Sequence, residues 1–391
     1  MSRRTGRLFF ANPGPTNIPE SVMRALVHGS QDFQDPDFVE LVRNCIARLK
    51  RVVRTSGEVF LYTGSGHSAW EATMVNLLSP GDTVLMLESG HFSESWSGMC
   101  RKLGLVVETV AADRRMGADP ALVTAALRED RAGRIKAVCA VHNETSTGVA
   151  LPLADIRAAI DAAGHGALLL VDTISSLGSL EFRMDEWGID AAVGGSQKGL
   201  MLPVGLGFTA VSAKGMAAHP QAKLPRNYFD WSVMMERPFR SFVGTVPTQM
   251  FYGLAESLRL IEEEGLEALY ARHHRLGEAV RCAVRAWAGN AGPQLFCQAP
   301  ARLSDSVTAV LMPEGYDANA LRRTALDTFN VSLGGGLGGL DGKVFRIGHM
   351  GDLNEAMVIG TLGAVELSLA RNRVPHGAGG VNAALEYLAA A

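Results

Sequence analysis

The chain has 391 residues, a length that predicts two domains, and its 47% hydrophobic and 20% charged residues are ordinary for a globular protein. Its formal net charge of −3 provides no basic field for nucleic acid or an anionic membrane surface, and no apolar run reaches the roughly 18 residues of a membrane helix. The five cysteines are scattered and odd in number, so we expect no metal site and no disulfide framework, and we expect a cytoplasmic location.

Short apolar runs alternate with helical segments along the first half of the chain. Most of these runs are continuously apolar, which is typical of strands buried on both faces of a mostly parallel sheet. The alternation predicts an α/β fold whose large domain contains a mostly parallel seven-stranded sheet. The predicted strands are 59–62, 83–87, 106–110, 135–141, 167–171, 191–193 and 206–211, and helices between them include 68–78, 120–128 and 153–163.

The pattern changes after about residue 211 and predicts a smaller α+β unit. Its predicted helices are 248–264, 266–287, 318–329 and 354–370, and its predicted strands are 306–311 and 344–347. We therefore expect three parts: an N-terminal segment 1–20, a large domain 21–264, and a small domain 265–391.

A turn of small residues follows the first predicted strand and opens a helix. It reads Thr-Gly-Ser-Gly-His at positions 63–67. Small residues let the backbone approach an anion, and a helix N-terminus offers unpaired N–H donors, so the turn predicts a phosphate site. An ordinary glycine-rich turn is the alternative. Ser68 and Glu71 also fit a capping box.

Two chemically active side chains follow later strands of the same sheet. Asp172 ends the strand 167–171, and Lys198 follows the strand 191–193 among small residues. Carboxyl ends of parallel strands form the ligand-binding edge of such a sheet. A buried carboxylate suits a protonated pyridine nitrogen, and a sheltered lysine suits Schiff-base chemistry. Either residue alone is more typical of a capping aspartate or a solvated lysine, but the set favours pyridoxal phosphate.

Two further features fit such a site. The turn 142–149 is unusually polar for one that follows an apolar strand, and a hydroxyl there suits the phenolic oxygen of the cofactor. Arg346 lies in a short apolar strand, where its guanidinium fork suits a substrate carboxylate, with a surface salt bridge as the alternative.

A dinucleotide site is a competing interpretation of the small-residue turn. Gly64-x-Gly66-x-x-Ala69 matches a relaxed fingerprint, and Glu88 follows the next strand near the position of a ribose-binding acid. This interpretation, an NAD-dependent oxidoreductase, leaves Asp172 and Lys198 without a role.

Together the motifs resemble the class V aminotransferases, which are fold type I pyridoxal-phosphate enzymes, and within them the serine–glyoxylate and alanine–glyoxylate aminotransferases. The resemblance covers nearly the whole chain in the family's order. The segments that carry it are Asn-Pro-Gly-Pro-Thr-Asn-Ile-Pro at 12–19, Gly-Ser-Gly-His-Ser-Ala-Trp-Glu-Ala at 64–72, His-Asn-Glu-Thr-Ser-Thr-Gly-Val at 142–149, Phe-Arg-Met-Asp-Glu-Trp-Gly at 182–188, Gly-Ser-Gln-Lys-Gly at 195–199 and Gly-Lys-Val-Phe-Arg-Ile-Gly-His at 342–349.

The resemblance implies the roles of the central residues. Lys198 matches the Schiff-base lysine, which also moves the proton between the substrate Cα and C4′ of the cofactor. Asp172 matches the partner of the pyridine nitrogen. Arg346 matches the arginine that binds the substrate α-carboxylate, with the turn at Gly14 nearby.

The resemblance also implies the surroundings of the cofactor and a homodimer with active sites at its interface, with the segment 1–20 contributing to the active site and the interface. Phe92 falls where relatives stack an aromatic ring, Thr145 matches the hydroxyl near the phenolic oxygen, and Thr245 matches a residue that reaches the phosphate from the partner subunit. The residues that match the phosphate side are Ser65, Gly66, His67 and Gln197.

The activity implied is the transfer of an amino group from a small amino acid, serine first, to glyoxylate, giving glycine and a 2-oxo acid. Alanine or aspartate as donor, and a pyridoxal-phosphate lyase or desulfurase on the same fold, stay open as alternatives. A desulfurase needs a nucleophilic cysteine on a small-domain loop, and Cys297, the last cysteine, lies in no such motif. Relatives often have a tyrosine within three residues before Thr245, whereas here the stretch reads Phe-Val-Gly, which leaves donor specificity open.

Overall fold

The computed structural model describes residues 6–236 and 242–390. The strands of this part of the chain are β1 (Phe9–Ala11), β2 (Glu58–Gly64), β3 (Thr83–Leu87), β4 (Val106–Val110), β5 (Ile135–Val141), β6 (Asn143–Glu144), β7 (Val149–Ala150), β8 (Leu168–Asp172), β9 (Ala191–Gly195), β10 (Gly205–Val211), β11 (Gln294–Leu295), β12 (Val307–Leu311), β13 (Val331–Gly335) and β14 (Val344–Gly348). The α-helices are α1 (Glu20–Leu26), α2 (Pro36–Val53), α3 (Gly66–Leu77), α4 (His91–Lys102), α5 (Pro120–Glu129), α6 (Leu153–Ala162), α7 (Ala213–Ala218), α8 (Trp231–Met235), α9 (Thr248–Glu264), α10 (Leu266–Trp287), α11 (Ala318–Phe329), α12 (Glu355–Arg371) and α13 (Gly380–Ala390).

The seven strands predicted for the first half of the chain form one sheet, which confirms the predicted fold class. Their order is β2-β10-β9-β8-β5-β3-β4, and only β10 runs against the others. The strands β3, β5 and β8 are buried almost throughout, as their continuous apolar sequences require.

The centre of this sheet brings the predicted polar residues together. Asp172 at the end of β8 pairs in register with Val141 on one side and Val193 on the other. The turn that begins at Asn143 and the turn that carries Lys198 therefore leave the sheet beside Asp172. A ligand site at this carboxyl edge follows from the parallel arrangement.

A second sheet has the order β1-β13-β14-β12-β11. Its edge strand β1 comes from the N-terminus and pairs in parallel with β13, so that Phe9 lies opposite Val331. The chain then turns at Gly14 towards the large sheet, and Arg346 lies on the central strand β14. The domain limits 1–20, 21–264 and 265–391 stay a prediction.

Local sequence explains where several helices begin and end. Asp317 caps α11 by accepting from the backbone N–H of Asn319, and Asn330 ends it in the left-handed conformation. The predicted capping box is wrong, because α3 begins at Gly66 with Ser65 as N-cap, and the Ser68 hydroxyl accepts from the backbone N–H of Ser65 instead.

The predicted bounds of α9, α10 and α11 are confirmed to the residue. The helix α4 and the strand β13 are not among the predicted elements, because serine and glycine interrupt the apolar pattern of both. Within the described residues, no helix is long and apolar enough to span a membrane.

Candidate active site

A cavity of about 230 Å³ lies at the carboxyl edge of the large sheet. Eight of the eleven predicted site residues line it: Gly14, Gly66, His67, Phe92, Thr145, Asp172, Gln197 and Lys198. Of the other three, Ser65 is the N-cap of α3 beside the cavity, Arg346 borders the turn that carries Thr145, and Thr245 lies elsewhere, exposed at the surface.

Asp172 is a buried carboxylate whose two oxygens each have one donor. The indole N–H of Trp70 donates to Oδ2 at 3.0 Å, and the backbone N–H of Ile174 donates to Oδ1 at 2.6 Å. Burial raises the pKa of Asp172 to about 7, with the Ile174 hydrogen bond opposing that rise and the nearby charge of Glu144 adding to it. A carboxyl group in this environment is suited to a cationic partner.

Lys198 lies opposite the N-terminal segment. Its Nζ donates to the backbone oxygen of Pro13 at 2.5 Å. Burial, followed by the positive charge of Arg346, lowers the pKa of Lys198 to about 8, although Asp172 opposes the shift. More of this side chain is therefore the free amine near neutral pH than in an ordinary lysine, and the free amine is the nucleophilic form.

Gly14 permits this approach between Lys198 and the N-terminal segment. Its φ is +123°, and an added Cβ would lie 1.9 Å from Nζ of Lys198. Only glycine fits both the conformation and the space. The sequence indicated Gly14 through the resemblance alone.

The first turn of α3 forms the end of the cavity that suits a phosphate group. A Cβ on Gly66 would lie 2.2 Å from Cδ1 of Ile174, so this glycine keeps the helix N-terminus close to the turn after β8. The first N–H groups of a helix have no acceptor within the helix and attract an anion. Oε1 of Gln197 is buried and has no hydrogen-bond donor among the described residues, so this side-chain oxygen is available to a ligand.

Arg346 is 93% buried and held at two points. Its Nε donates to the backbone oxygen of Gly335 at 2.7 Å, and its Nη1 donates to the backbone oxygen of Thr145 at 3.0 Å. Burial lowers the pKa of Arg346 to about 10, against the influence of Glu144, so the group stays a cation at neutral pH. Three of its five N–H groups have no acceptor among the described residues and are free to bind a carboxylate.

Two polar residues of the cavity were not predicted as site residues. The Ser175 hydroxyl accepts from the Thr145 hydroxyl at 2.7 Å and donates to the backbone oxygen of Asn143 at 2.9 Å. Nδ2 of Asn143 donates to the Ser175 hydroxyl at 2.9 Å and to the Ser306 hydroxyl at 2.7 Å. The signal for both was their place in the turns that directly follow β5 and β8.

Glu144 is a fully buried carboxylate that organises the aromatic side of the cavity. It accepts from the backbone N–H groups of Phe92 and Ser93 and from the Ser146 hydroxyl, the last at 2.6 Å. Burial raises its pKa, and these hydrogen bonds oppose that rise. Glu144 thereby fixes the N-terminus of α4, and with it the half-buried ring of Phe92.

The structure disfavours two rival interpretations. In a dinucleotide fold the second strand of the motif lies beside the first, but four strands separate β2 from β3, so Glu88 is remote from the turn at Gly64. Cys297 is buried and its thiol donates to the backbone oxygen of Ala299 at 3.6 Å. Burial raises the pKa of that thiol, which does not suit a desulfurase nucleophile.

Comparisons with known proteins agree with this geometry. The family model described as aminotransferase class-V matches residues 8–336. The chain is 46% identical to a serine–glyoxylate aminotransferase of Methylorubrum extorquens, over 99% of this chain and 97% of that protein. It is 43% identical to an L-aspartate–glyoxylate aminotransferase of Paracoccus denitrificans, over 96% and 94%. The crystal structure of a ureidoglycine–glyoxylate aminotransferase from Bacillus subtilis matches with a TM-score of 0.89 at 27% identity, over 99% of each chain.

Proposed function

The chain belongs to the class V aminotransferases, and from that membership we propose that it transfers the amino group of serine to glyoxylate, giving glycine and a 2-oxo acid. Enzymes of this family depend on pyridoxal phosphate. The observation that carries the proposal is the convergence of Asp172 and Lys198 on one cavity, with Arg346 at its border. Relatives that act on glyoxylate with serine support the choice of substrates.

The cavity residues fit the cofactor chemically. Pyridoxal phosphate supplies an aldehyde that condenses with amines and a ring that stores electrons. Asp172 would hold the protonated ring nitrogen, and the α3 N-terminus with Gln197 would hold the phosphate. The Thr145 hydroxyl, which donates to Ser175 in this structure, would turn to donate to the phenolic oxygen, and the Phe92 ring would cover the face of the cofactor ring.

Lys198 is the catalytic residue of this proposal. Its partly deprotonated Nζ would hold the cofactor in the resting enzyme and, once free, would take the proton from the substrate Cα and deliver it to C4′. Its bond to the oxygen of Pro13 restricts the amine to one side of the cavity. The N-terminal segment thus shapes the reaction although it belongs to the edge of the other sheet.

Arg346 binds and orients the substrate α-carboxylate through its free N–H groups. A second substrate carboxylate, as in aspartate, needs a second cation. Among the described residues that line the cavity, the only basic side chains are His67 and Lys198, and burial lowers the pKa of His67 and favours its neutral form. Serine needs no such second cation, and the L-aspartate–glyoxylate relative is the reason to test both donors.

We further propose a homodimer in the cytoplasm, in which Thr245 of one subunit approaches the phosphate of the other. Thr245 is exposed and lies away from the cavity of its own chain, which supports a role across an interface. The five cysteines are free, which supports a reducing compartment.

The test is a panel of amino donors with glyoxylate, scored by glycine formation. Serine is expected to give the highest kcat/KM, and the purified enzyme is expected to be yellow and to lose its colour on borohydride reduction. Lys198→Ala is expected to fold and to lose turnover, whereas Lys214→Ala, at an ion pair with Asp190 outside the cavity, is expected to keep it. If aspartate is the preferred donor, or pyruvate the preferred acceptor, the proposed substrates are wrong and the reaction class is unaffected.

A further inference from the structure

The side chain of Trp70 is enclosed next to the cavity without lining it. It lies in the second turn of α3 and is 1% exposed. Its indole Nε1 donates to Oδ2 of Asp172 at 3.0 Å, while Ile174 donates to Oδ1. The carboxylate is therefore held at both oxygens, and its plane is fixed.

This arrangement leaves one acceptor position on each oxygen of Asp172. Burial favours the neutral carboxyl, whereas the two N–H donors favour the carboxylate. If the indole donor were removed, Asp172 would keep one anchor, rotate more freely and take up a proton more readily. Trp70 is thus the only side chain among the described residues that donates a hydrogen bond to this carboxylate.

We propose that Trp70 is a positioning residue, whose indole N–H holds the Asp172 carboxylate in the orientation and ionisation state that binds the protonated ring nitrogen of the cofactor. The inference rests on the proposed function in one respect, the role of Asp172 as the partner of that nitrogen. Trp70 lies on the helix whose N-terminus is proposed to bind the phosphate. The same helix therefore acts on the phosphate directly and on the ring nitrogen through Asp172.

Trp96 provides a matched control within the same core. Its ring stacks on that of Trp70, with the centroids 5.6 Å apart and the planes 7° from parallel. Trp96 is also fully buried, but its Nε1 has no hydrogen-bond acceptor among the described residues. Replacing either indole by a phenyl ring removes the same atoms from the same cluster, and only the change at Trp70 removes a donor to Asp172.

The experiment compares the dissociation constants of two probes from the cofactor-free full-length protein. The probes are pyridoxal phosphate and its deaza analogue, in which a carbon replaces the ring nitrogen. Trp70→Phe is expected to bind pyridoxal phosphate on the order of tenfold more weakly than Trp96→Phe, the scale of one hydrogen bond to a charged group. With the deaza analogue the two variants are expected to bind equally, because the group that Trp70 serves is missing.

Equal affinity of the two variants for pyridoxal phosphate would overturn the proposal, and so would the same loss with both probes. If Trp70→Phe does not fold, replacement of Trp70 by 3-benzothienylalanine keeps the ring shape without the N–H, and the same comparison decides. A protein that binds pyridoxal phosphate as described but does not transaminate serine would refute the proposed function and leave this result standing.

Discussion

Arg346 and Thr145 join the two sheets through one hydrogen bond, from Nη1 on β14 to the backbone oxygen in the turn between β6 and β7, 3.0 Å apart. The second anchor of the guanidinium is Gly335 on β13. Because both anchors are backbone oxygens, the orientation of the fork is set before a substrate arrives. Such preorganisation lowers the entropic cost of binding.

Replacement of Arg346 by lysine is expected to raise KM for the amino donor and to lower kcat/KM by about ten- to a hundredfold. A lysine keeps the charge but loses the fork that bonds Gly335, Thr145 and a carboxylate together. Steady-state kinetics with serine and glyoxylate measure the effect. Arg323→Lys, at an exposed ion pair, is the control and is expected to match the wild type. An unchanged KM in Arg346→Lys would contradict the assigned role.

Gly14→Ala is expected to weaken cofactor attachment far more than Gly29→Ala. A Cβ at position 14 would collide with Nζ of Lys198, and its φ of +123° disfavours any L side chain. At position 29 an added Cβ meets no atom within 4 Å. The measurement is the yellow absorbance per subunit after reconstitution with pyridoxal phosphate. If Gly14→Ala reaches the full absorbance of Gly29→Ala, the close approach is not required.

Glu144→Gln is expected to lower the free energy of unfolding by about 2–3 kcal/mol, because an amide places N–H groups against the N–H donors of Phe92 and Ser93. The control is Glu94→Gln on the exposed side of the same helix, where the loss of one surface ion pair is expected to cost less than about 1 kcal/mol. Urea unfolding of both variants measures the difference. Equal costs would show that Glu144 does not fix the start of α4.

The sequence predicted the large sheet and three of the later helices because continuous apolar runs and capping residues are local signals. It also placed Asp172 and Lys198 at strand ends, from which their proximity follows. Contacts between distant segments have no such signal. Neither the hydrogen bond from Trp70 to Asp172 nor the hydrogen bonds from the N-terminus of α4 to Glu144 can be predicted from a local pattern. Likewise, the pairing of β1 with β13, which brings Gly14 to Lys198, joins residues that are more than 300 positions apart.

In the cofactor-free protein, the contribution of Asp172 to stability is expected to fall as the pH rises from about 4 to about 7, and Asp172→Asn is expected to abolish that contribution. The fold raises the pKa of Asp172 from its ordinary 3.8 to about 7, so the folded state holds this proton more tightly than the unfolded state. Its contribution to stability is therefore complete below about pH 4 and is lost by about pH 7, because the carboxyl of the unfolded state ionises first. Thermal unfolding across this pH range measures the effect.

The comparison of the wild type with Asp172→Asn isolates this group, because the other titrating residues, Glu144 among them, are present in both proteins. The two stability curves are expected to diverge by a few kcal/mol between pH 4 and pH 7. Saturating pyridoxal phosphate is expected to stabilise the wild type more than Asp172→Asn near neutral pH, since its ring nitrogen supplies the cation that the buried carboxylate lacks. Parallel curves without cofactor would mean that Asp172 ionises in the folded protein as it does in water. The environment of Asp172 would then give no reason to expect a cation beside it.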